Sequence, residues 1–164
     1  MAEHDGACEL AAVKFCYVDI RASTDIDALF ERYTTTLDGL IQQFPSIRFF
    51  HFTTPLRTLR PGLRSRLKSL IGQPIPVCED NIQREAFNNM LRQRYAAEGA
   101  LFDLASLETG APERPEYQFG YRGTKIRALH PEYTTDGGHL NTLGATTLAS
   151  ALLDFLAEQI KKAP

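Results

Sequence analysis

Three features that mark other protein classes are missing from this sequence. No run approaches the ~20 consecutive apolar residues that a membrane-spanning helix needs, so a bilayer span is excluded. The three cysteines, Cys8, Cys16 and Cys78, include no CxxC pair, which argues against a disulfide framework and a zinc site. The formal net charge is only -2, whereas a dedicated nucleic-acid binder is usually clearly basic. We therefore expect neither a membrane nor a nucleic acid as a partner.

The composition that remains is typical of a globular protein. Of the 164 residues, 43% are hydrophobic and 23% are charged, a balance that disordered chains do not reach. The length suits one hydrophobic core, so residues 1–164 are predicted to form a single domain. The first ten residues lack the basic start and the apolar stretch of a signal peptide, which favours a cytoplasmic location.

Hydrophobic periodicity predicts three strands that alternate with three helices. The strands are expected at residues 11–20, 46–55 and 100–108. The helices are expected at residues 24–43, 80–95 and 142–160, and their N-terminal caps are Thr24 (in a capping box with Asp27), Asp80 and Asn141. Residues 1–12 are predicted as a poorly ordered lead-in. The segments 56–78, with a short helix near 63–71, and 109–133 are predicted as irregular connections.

This alternation implies a parallel sheet with right-handed crossovers and helices on its faces. The predicted fold class is therefore α/β: a flavodoxin-like three-layer α/β/α sandwich whose sheet has only three strands. In open parallel sheets, ligands bind at the carboxyl ends of the strands. The loops at those ends hold Asp19 and Ser23, then Thr53, and finally Glu108 with the long connection that ends at residues 133–141.

The last loop contains the most informative motif, Asp136-Gly137-Gly138-His139, directly before a helix. An aspartate that accepts the Nδ1–H of an imidazole fixes its tautomer and leaves Nε2 free as a general base. The two glycines let the backbone turn tightly enough for that pairing. On this interpretation Asp136 and His139 are catalytic. The alternative is a turn with a helix cap, in which Asp136 accepts backbone N–H groups and His139 is an ordinary surface residue.

The block DGGHLN, followed by a glycine and an apolar helix, resembles the closing block of SGNH/GDSL-type hydrolases. The other segments occur in the same order: a strand–helix–strand unit ending in HFTTPL, the helix DNIQREAFNNMLRQRY and the segment LFDLASLE. The resemblance covers about residues 13–160 and corresponds to the second half to two-thirds of such an enzyme. It implies a flavodoxin-like sandwich with a Ser-His-Asp triad, in which Asp136 is the acid and His139 the base.

Two blocks of that family are missing from the sequence. No GDS-like nucleophile block occurs, and Val18 stands where a GxND-like block carries its oxyanion asparagine, so that only Asp19 of that block remains. We therefore expect an N-terminally short version of the family that opens in a middle strand and would also lack any signal peptide. Its first strand would be an apolar edge, through which a homodimer could form.

The function implied by the resemblance is that of a serine esterase. It would hydrolyse a small ester, such as a carbohydrate O-acetyl group, without a metal ion or cofactor, and its serine would lie upstream of Met1. The alternative is a non-catalytic binding or interaction domain that retains the hydrolase scaffold. A flavodoxin-like nucleotide binder is disfavoured because no phosphate-cradling glycine loop follows the first strand.

Several other residues are candidates for the site. Four are predicted to contact the substrate: Asp19, Ser23, Thr53 and Asn141. Ser23 could also replace the missing serine, although a loop role is the simpler interpretation. His51 and His130 have no metal-binding spacing to His139, so no metal site is predicted.

Two polar segments are open to two interpretations each. The basic segment 57–68 is either a lid that binds an anion or a solvated loop. Asn81, Arg84 and Asn88 share one helix face, which either lines a pocket or forms the wet side of the helix.

Overall fold

A computed structural model describes residues 9–58, 73–110 and 114–162. Its elements, in chain order, are β1 (Leu10–Val13), α1 (Ile26–Gln43), β2 (Arg48–Phe52), α2 (Pro76–Tyr95), β3 (Leu101–Phe102), α3 (Leu104–Thr109), β4 (Gln118–Tyr121), β5 (Thr124–Arg127), a 3-10 turn (Pro131–Tyr133) and α4 (Thr142–Lys161). The short helix predicted near 63–71 and most of the basic segment 57–68 lie outside the described residues. No helix in the described ranges is long and apolar enough to cross a membrane.

The strands β1, β2 and β3 form one parallel sheet in that spatial order, which confirms the predicted α/β class. Val13 of β1 lies beside His51 of β2. Because side chains alternate between the faces of a strand, β2 presents Phe49 and His51 to one face of the sheet. Phe50 and Phe52 lie on the other face.

Helices cover both faces of this sheet. The face of His51 packs against α1 and α2, whose buried residues form one cluster with Ile20 of the preceding loop: Ile26, Tyr33, Leu37, Phe87, Leu91 and Tyr95. The opposite face packs against α4, where the ring centroids of Phe155 and Phe50 are 5.4 Å apart. The arrangement is the predicted three-layer sandwich.

The strand β1 is shorter than the strand predicted at residues 11–20. It begins at Leu10, inside the predicted lead-in, and ends at Val13. The chain then forms a turn, which Asp19 closes by accepting the Cys16 N–H at 2.7 Å. The predicted strand was too long because the apolar residues after Val13 pack in a loop rather than in the sheet. Ile20, for example, is fully buried but does not belong to a strand.

The first helix begins at Ile26 and is capped by Asp25, whose carboxylate accepts the Ala28 N–H at 3.1 Å. The predicted cap, Thr24, instead accepts the N–H of Arg21 at 2.9 Å. The predicted capping box was therefore wrong by one residue, because Thr24 and Asp25 are both capping residue types and the sequence does not choose between them. The helix ends at Gln43, two residues before Pro45, as predicted.

The second helix begins at Pro76, earlier than the predicted cap Asp80. Proline suits the first turn of a helix because its missing N–H would have no intrahelical partner there. Asp80 lies within the helix, nearly buried, and accepts the N–H of Ala22 at 2.9 Å. The apolar spacing of this helix predicts Ile82 near its buried face, but the residue is 42% exposed.

The predicted strand at residues 100–108 is mostly helical. Only Leu101–Phe102 pair with β2. Asp103 then caps α3 by accepting the N–H of Ser106 at 3.2 Å. The apolar run reflects burial rather than strand pairing, since Ala105 is fully buried inside a helix.

The connection at residues 109–133 was predicted to be irregular, but part of it forms a β-hairpin. β4 and β5 pair antiparallel in a hairpin. Its two turn residues, Arg122 and Gly123, both have positive φ, as a type I′ turn requires. Each strand is only four residues long, too short for a clear alternation of polar and apolar residues.

The closing helix α4 confirms the predicted cap. Asn141 Oδ1 accepts the N–H of Gly144 at 3.0 Å. A Cβ at Gly144 would lie 2.8 Å from Tyr133, so this glycine allows the helix to start against the preceding loop. The apolar spacing of this helix predicts that Leu148 and Ile160 both face inward. Leu148 is buried, whereas Ile160 is 59% exposed.

Candidate active site

The loop before α4 is folded by the side chain of Asp136. Its Oδ1 accepts the N–H groups of Gly138 and His139, both at 2.8 Å. Gly137 has φ of 90° and lies against the Thr58 carbonyl, which a Cβ at this position would approach to 3.3 Å. The loop therefore depends on glycine at residue 137.

The other carboxylate oxygen of Asp136 binds the imidazole of His139. Asp136 Oδ2 lies 2.5 Å from His139 Nδ1. This hydrogen bond, followed by those from backbone N–H groups, holds the pKa of Asp136 well below its usual range. The ionised carboxylate accepts from Nδ1, so Nε2 is the nitrogen that can exchange a proton. The two alternatives from the sequence are thus combined, because one carboxylate builds the turn and orients the imidazole.

Tyr17 is the other partner of His139. Its hydroxyl lies 3.2 Å from Nε2, and the two rings meet edge-on with centroids 5.7 Å apart. Arg84 Nε donates to the Tyr17 carbonyl at 3.0 Å, and the guanidinium of Arg57 lies 5.2 Å from the Tyr17 ring centroid. Tyr17 was not among the predicted site residues, because it fell in a predicted strand and lies 122 residues from His139.

The polar face of α2 is buried, which corrects the wet-side interpretation. Asn81, Arg84 and Asn88 are all 0% exposed. Arg84 Nη1 donates to Asn81 Oδ1 at 2.7 Å, and Nη2 lies 3.4 Å from the Asp80 carboxylate. Burial lowers the pKa of Arg84, and the charge of Asp80 opposes that effect. The buried guanidinium thereby fixes the backbone at Tyr17, whose side chain contacts His139.

The two asparagines of this face hold the loop that follows β2. Asn88 accepts the Thr54 N–H at 2.7 Å and donates to the Thr54 carbonyl at 3.0 Å. Asn81 binds the N–H and carbonyl of Arg57 in the same way, at 3.1 and 2.8 Å. Each amide satisfies backbone groups that burial would otherwise leave unpaired. The seven-residue spacing of the asparagines on one face of a core helix was the signal available in the sequence.

An apolar groove opens beside His139, between α4 and the carboxyl ends of β2 and β3. Its volume is about 440 Å³. Six of the apolar residues that line it are Phe52, Phe102, Leu104, Leu148, Ala149 and Leu152. The imidazole of His139, whose side chain is 73% exposed, and the phenol of Tyr17 also line this groove. The groove therefore joins an apolar surface to a group that can exchange a proton.

Glu108 is a buried acid in the wall of the groove and is only 4% exposed. Burial raises its pKa to about 8, against the opposing effects of the Leu56 N–H, which donates to Oε2 at 2.9 Å, and of the Lys14 charge. The carboxyl group is therefore mostly neutral at pH 7. It adds a polar group to the groove without adding a charge.

The four residues predicted to contact the substrate lie at the expected loops and cap. Asp19 and Ser23 are exposed before α1. Thr53 is fully buried, and its hydroxyl donates to Asp103 at 3.1 Å. Asn141 caps α4 and donates to the carbonyl of residue 132 at 2.7 Å. None of the four lines the groove, and their contact with substrate stays a prediction.

The chain is similar to a solved structure described as "a putative platelet activating factor from Streptococcus pneumonia". The TM-score is 0.59 and the sequence identity is 16%. The match covers 92% of this chain and 61% of that one, so the chain spans less than two-thirds of the length of that protein. No family model matches the chain, and no curated protein matches it. The likeness shows a shared α/β fold.

Proposed function

We propose that the chain carries the acid–base pair of an SGNH/GDSL-type serine ester hydrolase. Its substrate would be a small ester, such as a carbohydrate O-acetyl group, and its serine would be contributed from upstream of Met1 in a longer product. The observation that carries the proposal is the Asp136–His139 pair on an apolar groove. The DGGHLN block and the likeness to a longer solved protein support it.

In the proposed reaction, His139 Nε2 takes the proton of the serine hydroxyl as its oxygen bonds to the ester carbonyl carbon. Asp136 stabilises the imidazolium that forms. The imidazolium then gives its proton to the leaving alkoxide, and an acyl-enzyme remains. Water attacks this ester with His139 again as the base, which releases the acid and restores the serine.

The tetrahedral intermediates of this reaction need a donor for their oxyanion, and Val18 cannot supply one through its side chain. Arg57 does not line the groove, so the role we assign to it is stabilisation of the oxyanion through its charge rather than through a hydrogen bond. Its Nε is buried and makes no hydrogen bond within the described ranges. It lies so close to Gly138 that a Cβ at this glycine would meet it at 3.2 Å. A cation at this position would stabilise negative charge that develops beside His139.

One observation favours the alternative, a binding domain without catalysis. The hydroxyl of Tyr17 already contacts His139 Nε2, the atom that the serine would use. In that function the groove would bind a ligand, and Asp136 and His139 would contact that ligand or only shape the loop.

The experiment uses the gene product purified from its natural source, with the intact mass measured first. We expect a mass above 18.4 kDa, labelling of a serine by a fluorophosphonate, and hydrolysis of p-nitrophenyl acetate. His139→Ala should reduce kcat/KM by about 10³-fold or more, and Asp136→Asn by about 10²-fold or more. Hydrolysis that is unchanged in His139→Ala would overturn the proposal. Absence of both labelling and hydrolysis in the wild type would favour the binding domain.

A further inference from the structure

The hydroxyl of Tyr17 forms one hydrogen-bonded chain with His139 and Asp136. It lies 3.2 Å from His139 Nε2, and Asp136 Oδ2 lies 2.5 Å from Nδ1 of the same ring. A hydroxyl group, an imidazole and a carboxylate are linked in this order in a hydrolase triad. Tyrosine is one of the side chains that form covalent intermediates in enzymes, and an adjacent base activates such a nucleophile. The chain thus holds a hydroxyl and a base in contact.

Contacts of the backbone and of the ring fix the position of Tyr17. The Cys16 N–H donates to Asp19 Oδ2 at 2.7 Å, which closes the turn that carries the tyrosine. Arg84 Nε donates to the Tyr17 carbonyl at 3.0 Å. A Cβ at Gly138 would lie 3.3 Å from Tyr17 Cζ, so the glycine lets the phenol approach the imidazole. The phenol is therefore positioned for proton transfer.

Two guanidinium groups lie near the Tyr17 ring. The ring centroid is 5.2 Å from Cζ of Arg57 and 5.9 Å from Cζ of Arg84. Attack of the phenol oxygen on an ester carbonyl gives a tetrahedral intermediate with a negatively charged oxygen, which nearby positive charge stabilises. Tyr17 is partly exposed and lines the groove together with His139, so a donor in the groove can reach the hydroxyl.

A second contact between a phenol and an imidazole, that of Tyr33 and His51, lies in the core. The Tyr33 hydroxyl is 2.6 Å from His51 Nδ1, but Tyr33 is only 6% exposed and His51 only 2%. Burial raises the pKa of Tyr33. A donor in solvent cannot reach that hydroxyl, so the contact alone does not make a phenol reactive. Tyr17 differs in its exposure and in the Asp136 carboxylate that orients its base.

We propose that Tyr17 is an acyl acceptor that the Asp136–His139 pair activates. His139 Nε2 takes the phenol proton as the phenol oxygen bonds to the carbonyl carbon of the donor. The tetrahedral intermediate then expels the leaving group, which receives that proton, and an O-acyl tyrosine remains. Water attacks this ester with His139 again as the base, which releases the acid and restores the phenol. The inference rests on the acid–base pair of the proposed function and does not use its upstream serine.

The leaving group decides which donors can acylate a phenol. A tetrahedral intermediate expels its less basic group, and the ordinary pKa is about 10 for a tyrosine phenol and about 8.5 for a cysteine thiol. The alkoxide of a sugar is far more basic, so an intermediate formed from an alkyl ester returns to the starting ester. Aryl esters and thioesters instead transfer their acyl group. This donor class differs from the carbohydrate ester of the proposed function, so the two reactions can be measured separately.

The test measures acetylation of the purified 164-residue chain, which holds the phenol and the acid–base pair without the proposed upstream serine. The donors are p-nitrophenyl acetate and S-phenyl thioacetate, with ethyl acetate as the alkyl control. Peptide mass spectrometry after an acid quench locates the acetyl group. Release of p-nitrophenol is followed in parallel, because it reports acylation even where hydrolysis of the acyl tyrosine is fast. We expect Tyr17 to react at least ~10²-fold faster than Tyr117 with the first two donors, and ethyl acetate to leave Tyr17 unlabelled.

Matched variants assign the reaction. Tyr17→Phe should abolish the fast release of p-nitrophenol, and Tyr117→Phe should retain it, because Tyr117 is also partly exposed and its ring also meets a histidine edge-on. His139→Gln and Asp136→Asn should each slow the release by about 10²-fold or more. The melting curve of each variant reports whether it folds. Release that is unchanged in Tyr17→Phe, or in His139→Gln, would overturn the inference, as would acetylation of Tyr17 by ethyl acetate.

The full gene product separates this inference from the proposed function. There the serine would compete with Tyr17 for His139 Nε2, and hydrolysis of a carbohydrate acetate should not need the phenol. Such hydrolysis by a labelled serine, without acylation of Tyr17 in the 164-residue chain, would overturn this inference and leave the proposed function. Acylation of Tyr17 in the 164-residue chain, without a labelled serine or hydrolysis of alkyl esters by the full gene product, would overturn the proposed function and leave the acyl acceptor.

Discussion

His139 and His51 show how the surroundings of an imidazole decide its behaviour. The side chain of His139 is 73% exposed and is oriented by the Asp136 carboxylate. His51 lies in β2 and is only 2% exposed. Its Nδ1 is 2.6 Å from the Tyr33 hydroxyl, and its ring stacks on Tyr95 with centroids 3.6 Å apart. The first histidine can exchange a proton with a ligand, whereas the second is part of the core.

The two histidines also differ in the charged groups that surround them. Burial, assisted by the charge of Arg94 and opposed by that of Asp38, lowers the pKa of His51 to about 4. His51 is therefore neutral at any pH at which the protein would normally work. His139 instead has the Asp136 carboxylate on Nδ1, a partner that fixes the orientation of its ring. A functional histidine is thus distinguished here by its partner and its exposure.

The largest expected effect is the loss of activity on removing the exposed histidine. His139→Ala should reduce ester hydrolysis by the full gene product by about 10³-fold or more, while the melting temperature changes little because the side chain packs against few groups. The matched variant is His130→Ala, at a histidine that neither lines the groove nor contacts Asp136. Similar losses of hydrolysis in both variants would contradict the assignment of His139 as the catalytic base.

The buried histidine should give the opposite pattern. His51→Ala leaves a cavity and an unpaired Tyr33 hydroxyl, so it should lower the free energy of unfolding by about 3 kcal/mol. Once folded, the variant should retain hydrolysis within a few-fold, because His51 does not line the groove. Urea unfolding followed by circular dichroism measures the first quantity. If hydrolysis by His51→Ala fell by more than the fraction of folded protein does, His51 would have a role in catalysis, which would contradict its assignment to the core.

The pH dependence of stability should reveal the same burial. The pKa of His51 is lowered in the folded state, so the unfolded state binds more protons between about pH 6.5 and 4. Stability should therefore fall as the pH falls through this range, by at most about 3 kcal/mol from this group. His51→Asn, which cannot titrate, should show a shallower decline. Equal slopes for wild type and His51→Asn would show that other groups cause the decline.

The contact between Asp136 and His139, which lie in one loop, could be predicted from the sequence. The contacts that distant segments make with this loop could not. Asp136 and His139 are three residues apart, so one loop decides their contact, and the turn, the glycine and the helix cap are all readable there. Tyr17 and Arg84 reach the same place from distant segments. Their approach depends on how α2 packs on the loop after β1, which no local pattern encodes.

The fold shows the same division. The helices α1 and α4 were predicted within two residues at either end because their periodicity extends over eighteen and twenty residues. β1, β3 and the hairpin are two to four residues long, too short for a period to identify. The sequence left the face of Asn81 and Arg84 open between a pocket and the wet side of the helix, because polar residues usually indicate solvent, whereas here they satisfy buried backbone groups.

The two acids Asp136 and Glu108 differ in the same way as the two histidines. Asp136 is exposed and its pKa is lowered, whereas Glu108 is buried and its pKa is raised to about 8. A raised carboxyl pKa means that the folded state binds more protons from about pH 4.5 to 8, so stability falls as the pH rises through this range. Glu108→Gln removes that effect and should raise the free energy of unfolding by about 2 kcal/mol at pH 6, and by more at pH 8. At pH 4 the difference should vanish. A variant less stable than wild type at pH 8 would mean that the ionised carboxylate is stabilising.

The smallest expected effect concerns the contact between Tyr17 and His139. Tyr17→Phe removes a neutral hydrogen bond worth about 1 kcal/mol, which frees Nε2 for the serine. Ester hydrolysis by the full gene product should therefore rise by about twofold to fivefold. The control is Tyr117→Phe, whose ring meets His130 edge-on at the same 5.7 Å centroid distance, outside the groove. Loss of hydrolysis in Tyr17→Phe alone would instead make the phenol a participant in the proton transfer, because a hydroxyl that only occupies Nε2 cannot be needed there.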